Sequence, residues 1–216
     1  MRSNRQNRSR QGFTLFELLV VIAVISIMAT MTIPNFLRLM QRSKLTGIAQ
    51  ETSLLIRMAR DYAIRYNTDA VVRIDLNTNE VIAFVEVDGV LLGDPRDHIF
   101  NPIAGQEHRT TDWELARYRL PNLVTFDAPA ADPSDPPGAG TPVWAFTTVG
   151  AENVAVFRAN GSAEDRGAFR FADPHGNFLQ VRVEPAATGR VRIEKFHDDD
   201  VAWYFRNEND KPWEWK

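Results

Sequence analysis

The sequence predicts an α+β fold in which a long N-terminal α-helix precedes a domain of antiparallel β-strands. Three patterns support this fold class. Residues 13–33 are predominantly apolar, residues 35–67 carry apolar side chains at helical spacing, and most of the remainder alternates apolar with polar residues between turns. With 216 residues and no cysteine, the chain has room for one membrane element and one domain stabilised by packing without disulfides.

The chain begins with a basic leader, residues 1–12, which contains four arginines and no acid. An excess of arginine on one flank of an apolar segment keeps that flank in the cytoplasm. The next 21 residues, 13–33, contain one ionisable side chain, Glu17. A helix of this length spans a hydrocarbon core about 30 Å thick. We therefore predict a membrane helix over residues 13–34, with the domain that follows it outside the cytoplasm.

Two residues interrupt the apolar character of this helix. Glu17 places an acid in an apolar segment, which indicates a functional site with a partner. Pro34 lacks an N–H and leaves the carbonyl of Thr30 without its helical donor, so we expect a kink or local break there. An ordinary proline kink and a functional break are both open interpretations.

Residues 35–67 predict an amphipathic helix that continues the membrane segment to a total length of about 80 Å. Its arginines lie off the apolar stripe and are most simply a solvated face. The first half, apolar on every side, needs lipid or the same segment of sibling chains around it. The residues predicted to form the apolar stripe are Leu37, Met40, Ile48, Leu55, Ala59 and Ala63.

Residues 68–196 predict a β-sheet domain whose short strands are separated by turns. Residues 93–112 have little periodicity and indicate a long loop. Residues 128–142, rich in proline and glycine, indicate an exposed, mobile loop. The predicted strands cover residues 70–76, 80–87, 90–92, 115–120, 123–127, 143–148, 154–158, 168–171, 178–184 and 190–196.

The C-terminal tail, residues 197–216, is acidic at first and then unusually aromatic. The acidic run 198–200 is open to two interpretations, a solvated turn or a site for a hard cation. The aromatic residues are either a last strand that covers a sheet edge or a docking surface for another subunit. They are Trp203, Tyr204, Phe205, Trp213 and Trp215.

The N-terminal pattern resembles the class III signal of type IV pilins and type II secretion pseudopilins. It consists of a basic leader ending at Gly12, then Phe13, Thr14 and an acid at Glu17. The resemblance implies that a prepilin peptidase cuts between Gly12 and Phe13 and that the new Phe13 amine is methylated. It also implies that Glu17, with Thr14 beside it, serves filament assembly by pairing with the N-terminal amine of a neighbouring subunit. The same resemblance implies that helicity near Pro34 is lost on assembly.

Two other interpretations of the N-terminus remain. A conventional signal peptidase could cut near Ala29, or the segment could be an uncut signal anchor. The pilin-type signal gives Glu17 a purpose, which a discarded signal does not.

The later sequence is similar to the GspH/FimT branch of the pseudopilins. The similarity is carried by ARDYAIRYN at the end of the helix and by LPNLVTF, VFRANGS and LQVRVEPAATGRVRIEKF in the domain. It implies a long helix packed against β-sheets and a minor pseudopilin of a type II secretion system in a short periplasmic pseudopilus. The implied partners are the prepilin peptidase, major and minor pseudopilins, the inner-membrane assembly platform and, before assembly, membrane lipid.

The alternative function is a FimT-like minor type IV pilin that binds DNA for uptake or primes pilus assembly. Such proteins carry a basic GRxRxR motif, which Gly189, Arg190 and Arg192 match in part. Glu194 stands at the last arginine position. Removing the four leader arginines changes the net charge from −3 to −7, and both features argue against DNA as a partner.

The sequence does not predict an enzyme, a cofactor or a metal site. The four histidines are scattered without the spacing of a zinc protease, and neither a nucleophile elbow nor a phosphate-binding glycine loop is present.

Overall fold

The computed structural model describes residues 13–87, 98–100, 112–132, 140–149, 152–206 and 212–216. The chain divides into two compact units, Met1–Met40 and Gln41–Lys216. The α-helix of the described residues, α1, spans Leu15–Tyr66 and belongs to both. The strands that follow are β1 Asp69–Asp75, β2 Glu80–Glu86, β3 Trp113–Arg119, β4 Thr125–Phe126, β5 Val143–Trp144, β6 Thr147–Val149, β7 Glu152–Phe157, β8 Gly167–Ala172, β9 Phe178–Val183, β10 Val191–His197 and β11 Ala202–Phe205.

The strands form two antiparallel sheets rather than one. The first sheet has the order β3-β2-β1-β7-β6. The second has the order β11-β10-β9-β8-β4, and β5 pairs with β8 beside it. The α+β class, with a long helix packed against antiparallel strands, is therefore confirmed.

The second half of α1 packs on both sheets through one apolar face. Its buried positions recur at helical spacing, which is why this half of the helix is held by the domain. Ile48, Leu55 and Ala59 of the predicted stripe are buried, whereas Leu37 and Met40 are exposed. The core they enter contains Val72 and Phe157 of the first sheet, and from the second sheet it contains Phe169, Leu179 and Val181.

The predicted strand 143–148 is two strands in different sheets. Ala145 lies between β5 and β6 with φ of 56°, a left-handed conformation that an extended strand cannot contain. The chain therefore leaves the second sheet at Trp144 and enters the first at Thr147. Gly167 lies opposite this crossing, where a Cβ atom would come within 2.4 Å of the Phe146 ring. This close approach requires glycine, and single-strand periodicity cannot reveal it.

Within the predicted exposed loop 128–142, Ala130, Ala131, Gly140 and Thr141 are exposed, whereas the start of the loop is buried. Ala128 is buried, and the Asp132 side chain is fully buried in an ion pair with Arg170. The indole N–H of Trp203 also donates to Asp132, at 3.0 Å. This end of the loop is thus anchored on the second sheet. Residues 133–139 lie outside the described residues, as do the predicted strand 90–92 and most of the predicted loop 93–112.

A histidine latch holds residues 98–100 against the outer face of the first sheet. The backbone N–H of His98 donates to Glu86 Oε1 and its Nδ1 lies 2.7 Å from Glu86 Oε2. Glu164 approaches the other ring nitrogen at 3.7 Å. Phe100 then packs on Phe84, with ring centroids 5.2 Å apart. The hydrogen bond to buried Glu86 raises the pKa of His98, although partial desolvation opposes it.

The latch predicts a pH dependence of folding. Because the folded-state pKa of His98 lies above its unfolded value, the protonated latch stabilises the fold fully below about pH 6.5 and loses this contribution as pH rises through the folded pKa. We expect the difference in melting temperature between wild type and His98→Gln to be largest near roughly pH 5.5 and to shrink above about pH 8, because histidine side chains titrate between these values. Thermal unfolding of the full chain in detergent measures it.

The matched control for the latch is His175→Gln, which changes an exposed histidine. The charged groups around His98, namely Glu86, Glu164 and Asp69, with Arg158 beside Glu164, are kept in both variants. A stability difference between wild type and His98→Gln that stays constant with pH would contradict the latch.

Candidate assembly site at the N-terminal end of the helix

The first half of α1 carries apolar side chains on every face, and these side chains are exposed among the residues that the structure describes. Phe13 is 88% exposed and Leu15 84%, and every side chain from residue 30 to 40 is exposed. The buried face of the helix begins only at Leu45. Among the described residues, α1 is by length and composition able to cross a membrane. This surface is far larger and more apolar than water-facing patches of soluble proteins.

Thr14 and Glu17 form a reciprocal cap at the start of α1. The Thr14 backbone N–H and hydroxyl both donate to Glu17 Oε2, each at 2.9 Å. The Glu17 N–H donates in turn to Thr14 Oγ1 at 3.2 Å. This is a capping box, in which a hydroxyl residue and an acid three positions later satisfy each other's donors. The spacing of Thr14 and Glu17 in TLFE is a local signal for this cap, separate from the predicted role of Glu17 in assembly.

The capping box gives the Glu17 carboxylate hydrogen-bond donors from its own chain. Its carboxylate lies at the helix N-terminus, where the positive end of the helix dipole favours an anion. Two local donors already bind one of its oxygens. The acid is therefore partly compensated before any neighbour arrives, and a second subunit's amine would add to this arrangement.

Hydroxyl groups farther along the apolar segment are satisfied within the helix. Ser26 donates to Ile22 O and Thr32 to Met28 O, each at 2.8 Å. Such back-bonding lets polar side chains lie in hydrocarbon without an external partner. Pro34 lies within the continuous span of α1, so the predicted local break is not present in this structure. Loss of helicity there on assembly stays a prediction.

Gly12, Arg190 and Arg192 are the other predicted site residues. Gly12 and the rest of the leader lie outside the described residues. Arg190 is exposed, and the Arg192 guanidinium lies 5.7 Å from the Phe205 ring centroid. Glu194 follows on the same side of β10, is 5% exposed and accepts from Gln180 at 2.6 Å. An acid fixed beside the two arginines disfavours phosphate, so nothing in this geometry favours the DNA-binding alternative.

The acidic and aromatic tail is used within the domain. Asp198 pairs with Lys216 at 2.6 Å. Among the described residues, no group of three or more histidine or acidic side chains is arranged to hold a metal ion. Ala202–Phe205 forms the edge strand β11, which is the first of the two alternatives raised for the aromatic residues. Trp213 and Trp215 pack against the main core.

The start of α1 matches a known sequence motif. Residues 7–33 match the family described as the prokaryotic N-terminal methylation motif, which implies processing by a prepilin peptidase. The motif and the apolar helix are consistent with an inner-membrane, pilin-like chain.

Among solved structures, the chain is similar to the minor pseudopilin EpsH from the Type 2 Secretion System of Vibrio cholerae. The two are 13% identical with a TM-score of 0.41, and the match covers 68% of this chain and 95% of EpsH. Comparison with curated proteins gives no match.

Proposed function

We propose that this chain is a minor pseudopilin, a structural subunit of the short periplasmic pseudopilus of a type II secretion system. The observation that carries the proposal is the N-terminal methylation motif over residues 7–33 on a helix whose apolar side chains the chain itself leaves exposed. Before assembly, lipid covers these side chains, and the helices of sibling subunits replace it in the filament. The domain from Gln41 onward has its own core and remains in the periplasm.

The proposed maturation consists of two steps at the start of the helix. A prepilin peptidase cuts between Gly12 and Phe13, and the free amine of Phe13 is methylated. Glycine at the cut leaves the backbone open to the catalytic groups. Phe13 and Thr14 precede the first helical residue, Leu15, so the cut releases a chain that begins at the helix cap.

Assembly then depends on a charge pair between subunits. The methylated amine of one Phe13 meets the Glu17 carboxylate of its neighbour, and burial of both among apolar helices strengthens their attraction. The cap from Thr14 holds that carboxylate in place beforehand. Partners in this proposal are the prepilin peptidase, the assembly platform and the other pseudopilins.

Maturation and host system are tested in two measurements. The intact mass of protein recovered from membranes is expected to equal residues 13–216 plus one methyl group. Deletion of the gene is expected to abolish export of folded proteins while surface pili persist. A mass that retains the leader or starts far beyond Phe13 would reject the maturation. Normal export with loss of pili would instead place the subunit in a type IV pilus.

A further inference from the structure

The last five residues of the chain, 212–216, cross several elements of the domain. The Trp213 indole N–H donates to the carbonyl of Tyr204 in edge strand β11, at 3.2 Å. The Lys216 backbone N–H donates to Asn177 Oδ1 at 2.9 Å. Asn177 is 1% exposed and is itself held by Asp173 in the turn between β8 and β9. Both ends of this segment are therefore fixed on the second sheet.

The same segment binds the helix through Arg42. One Arg42 amino nitrogen donates to the backbone oxygens of Trp215 and Lys216, at 3.3 and 3.1 Å. The Arg42 guanidinium lies 6.0 Å from the centroid of the Trp215 ring, and Lys195 Nζ lies 5.3 Å from it. The ring thus has two cations near it, and Trp215 packs on the main core.

Arg42 lies between the exposed part of α1 and its first buried side chain, Leu45. Pro34 cannot donate a helical hydrogen bond, and residues 31–40 expose every side chain. The first fully buried side chain of the helix is Leu45. Between Pro34 and Leu45, packing gives the helix little support, and helical segments with few tertiary contacts open readily. Arg42 provides hydrogen bonds from this stretch to a distant part of the chain.

We propose that residues 212–216 form a strap that stops unwinding of α1, once begun near Pro34, from entering the domain. The strap fixes Arg42, and through it the turn of helix before Leu45. The helix can then lose its hydrogen bonds around Pro34 while the domain stays folded. The strap is a property of the single chain and does not depend on the proposed filament.

Hydrogen exchange of the full chain in detergent micelles tests the strap. In Arg42→Ala, the amides of residues 41–45, whose helical acceptors are carbonyls four positions earlier, are expected to exchange at least about tenfold faster. Deletion of residues 212–216 is expected to do the same. Arg42→Lys keeps the charge but loses the forked donors, so its effect lies between wild type and Arg42→Ala.

Arg57→Ala, an exposed arginine farther along α1, is the matched control and should leave exchange at residues 41–45 unchanged. If the deletion variant fails to fold, Arg42→Ala still tests the strap, because this variant keeps Trp213 and Trp215. Unchanged exchange in Arg42→Ala would overturn the proposal. Acceleration spread evenly to Tyr66 would also overturn it, since that indicates general destabilisation rather than release of a strap.

Discussion

Replacement of Glu17 by valine is expected to leave cleavage after Gly12 intact and to reduce incorporation of the subunit into filaments at least about tenfold. The physical reason is the charge: a filament core that holds an N-terminal amine without its acid contains an uncompensated buried cation, which costs several kcal/mol. Incorporation is measured by shearing filaments from cells and quantifying the subunit relative to the amount in membranes. Intact mass of the membrane fraction reports cleavage separately.

The capping box gives this prediction a discriminating control. Glu17→Gln keeps a side chain that can complete the cap with Thr14, because glutamine also serves at this position of a capping box. It removes the charge alone. If the charge pairs with a neighbour's amine, Glu17→Gln fails to assemble as Glu17→Val does. Thr14→Ala removes the hydroxyl cap while it keeps the acid, and should lower incorporation only modestly.

Two results would contradict the charge mechanism. Normal incorporation of Glu17→Val would remove any need for an acid. Normal incorporation of Glu17→Gln, together with a severe defect in Thr14→Ala, would assign both residues to starting the helix, with no partner in another subunit.

The sequence predicted the features that depend on local pattern. The apolar segment, the amphipathic helix after it and most strands follow from the periodicity of side chains, which burial imposes residue by residue. Ile48, Leu55 and Ala59 could be assigned to the core for that reason. Leu37 and Met40 fit the same stripe yet remain exposed, because the stripe continues beyond the point where the domain packs on it.

Features that depend on contacts between distant residues could not be predicted in the same way. Arg42 was one of several arginines outside the apolar stripe, and only the tertiary structure distinguishes it from exposed Arg57. The aromatic tail left two alternatives open, since aromatic composition favours both cores and interfaces. The cap between Thr14 and Glu17 is different: its spacing is a local signal, and the assembly interpretation of Glu17 obscured it.

The buried ion pair of Arg170 and Asp132 could not be predicted from the sequence either. Asp132 belongs to a proline-rich stretch whose composition is typical of exposed loops, and Arg170 lies in a strand whose alternation places it opposite the core. Both side chains are fully buried. Arg170 also donates to Gln180 and to the carbonyl of Thr141, each at 3.2 Å. Burial lowers the pKa of Arg170, and the Asp132 charge opposes that shift.

Asp132→Ala is accordingly expected to destabilise the domain by about 3–5 kcal/mol, because it leaves the guanidinium buried without its counter-charge. That is a large fraction of a typical folding free energy of about 5–15 kcal/mol. Denaturant unfolding of the full chain in detergent, followed by tryptophan fluorescence, measures the loss. Asp199→Asn, which changes an exposed acid, should shift the midpoint little.

The double variant Asp132→Leu with Arg170→Met distinguishes the net contribution of the ion pair to stability from the destabilisation caused by one unpaired buried charge. Replacement of both charges by apolar side chains of similar length leaves no buried charge, so most of the stability lost in Asp132→Ala should return. If the double variant is as unstable as the single one, the loss comes from packing around Trp203, which donates to Asp132, rather than from an unpaired charge. If Asp132→Ala is as stable as wild type, the guanidinium has another compensating group, and the loop is not anchored by this pair.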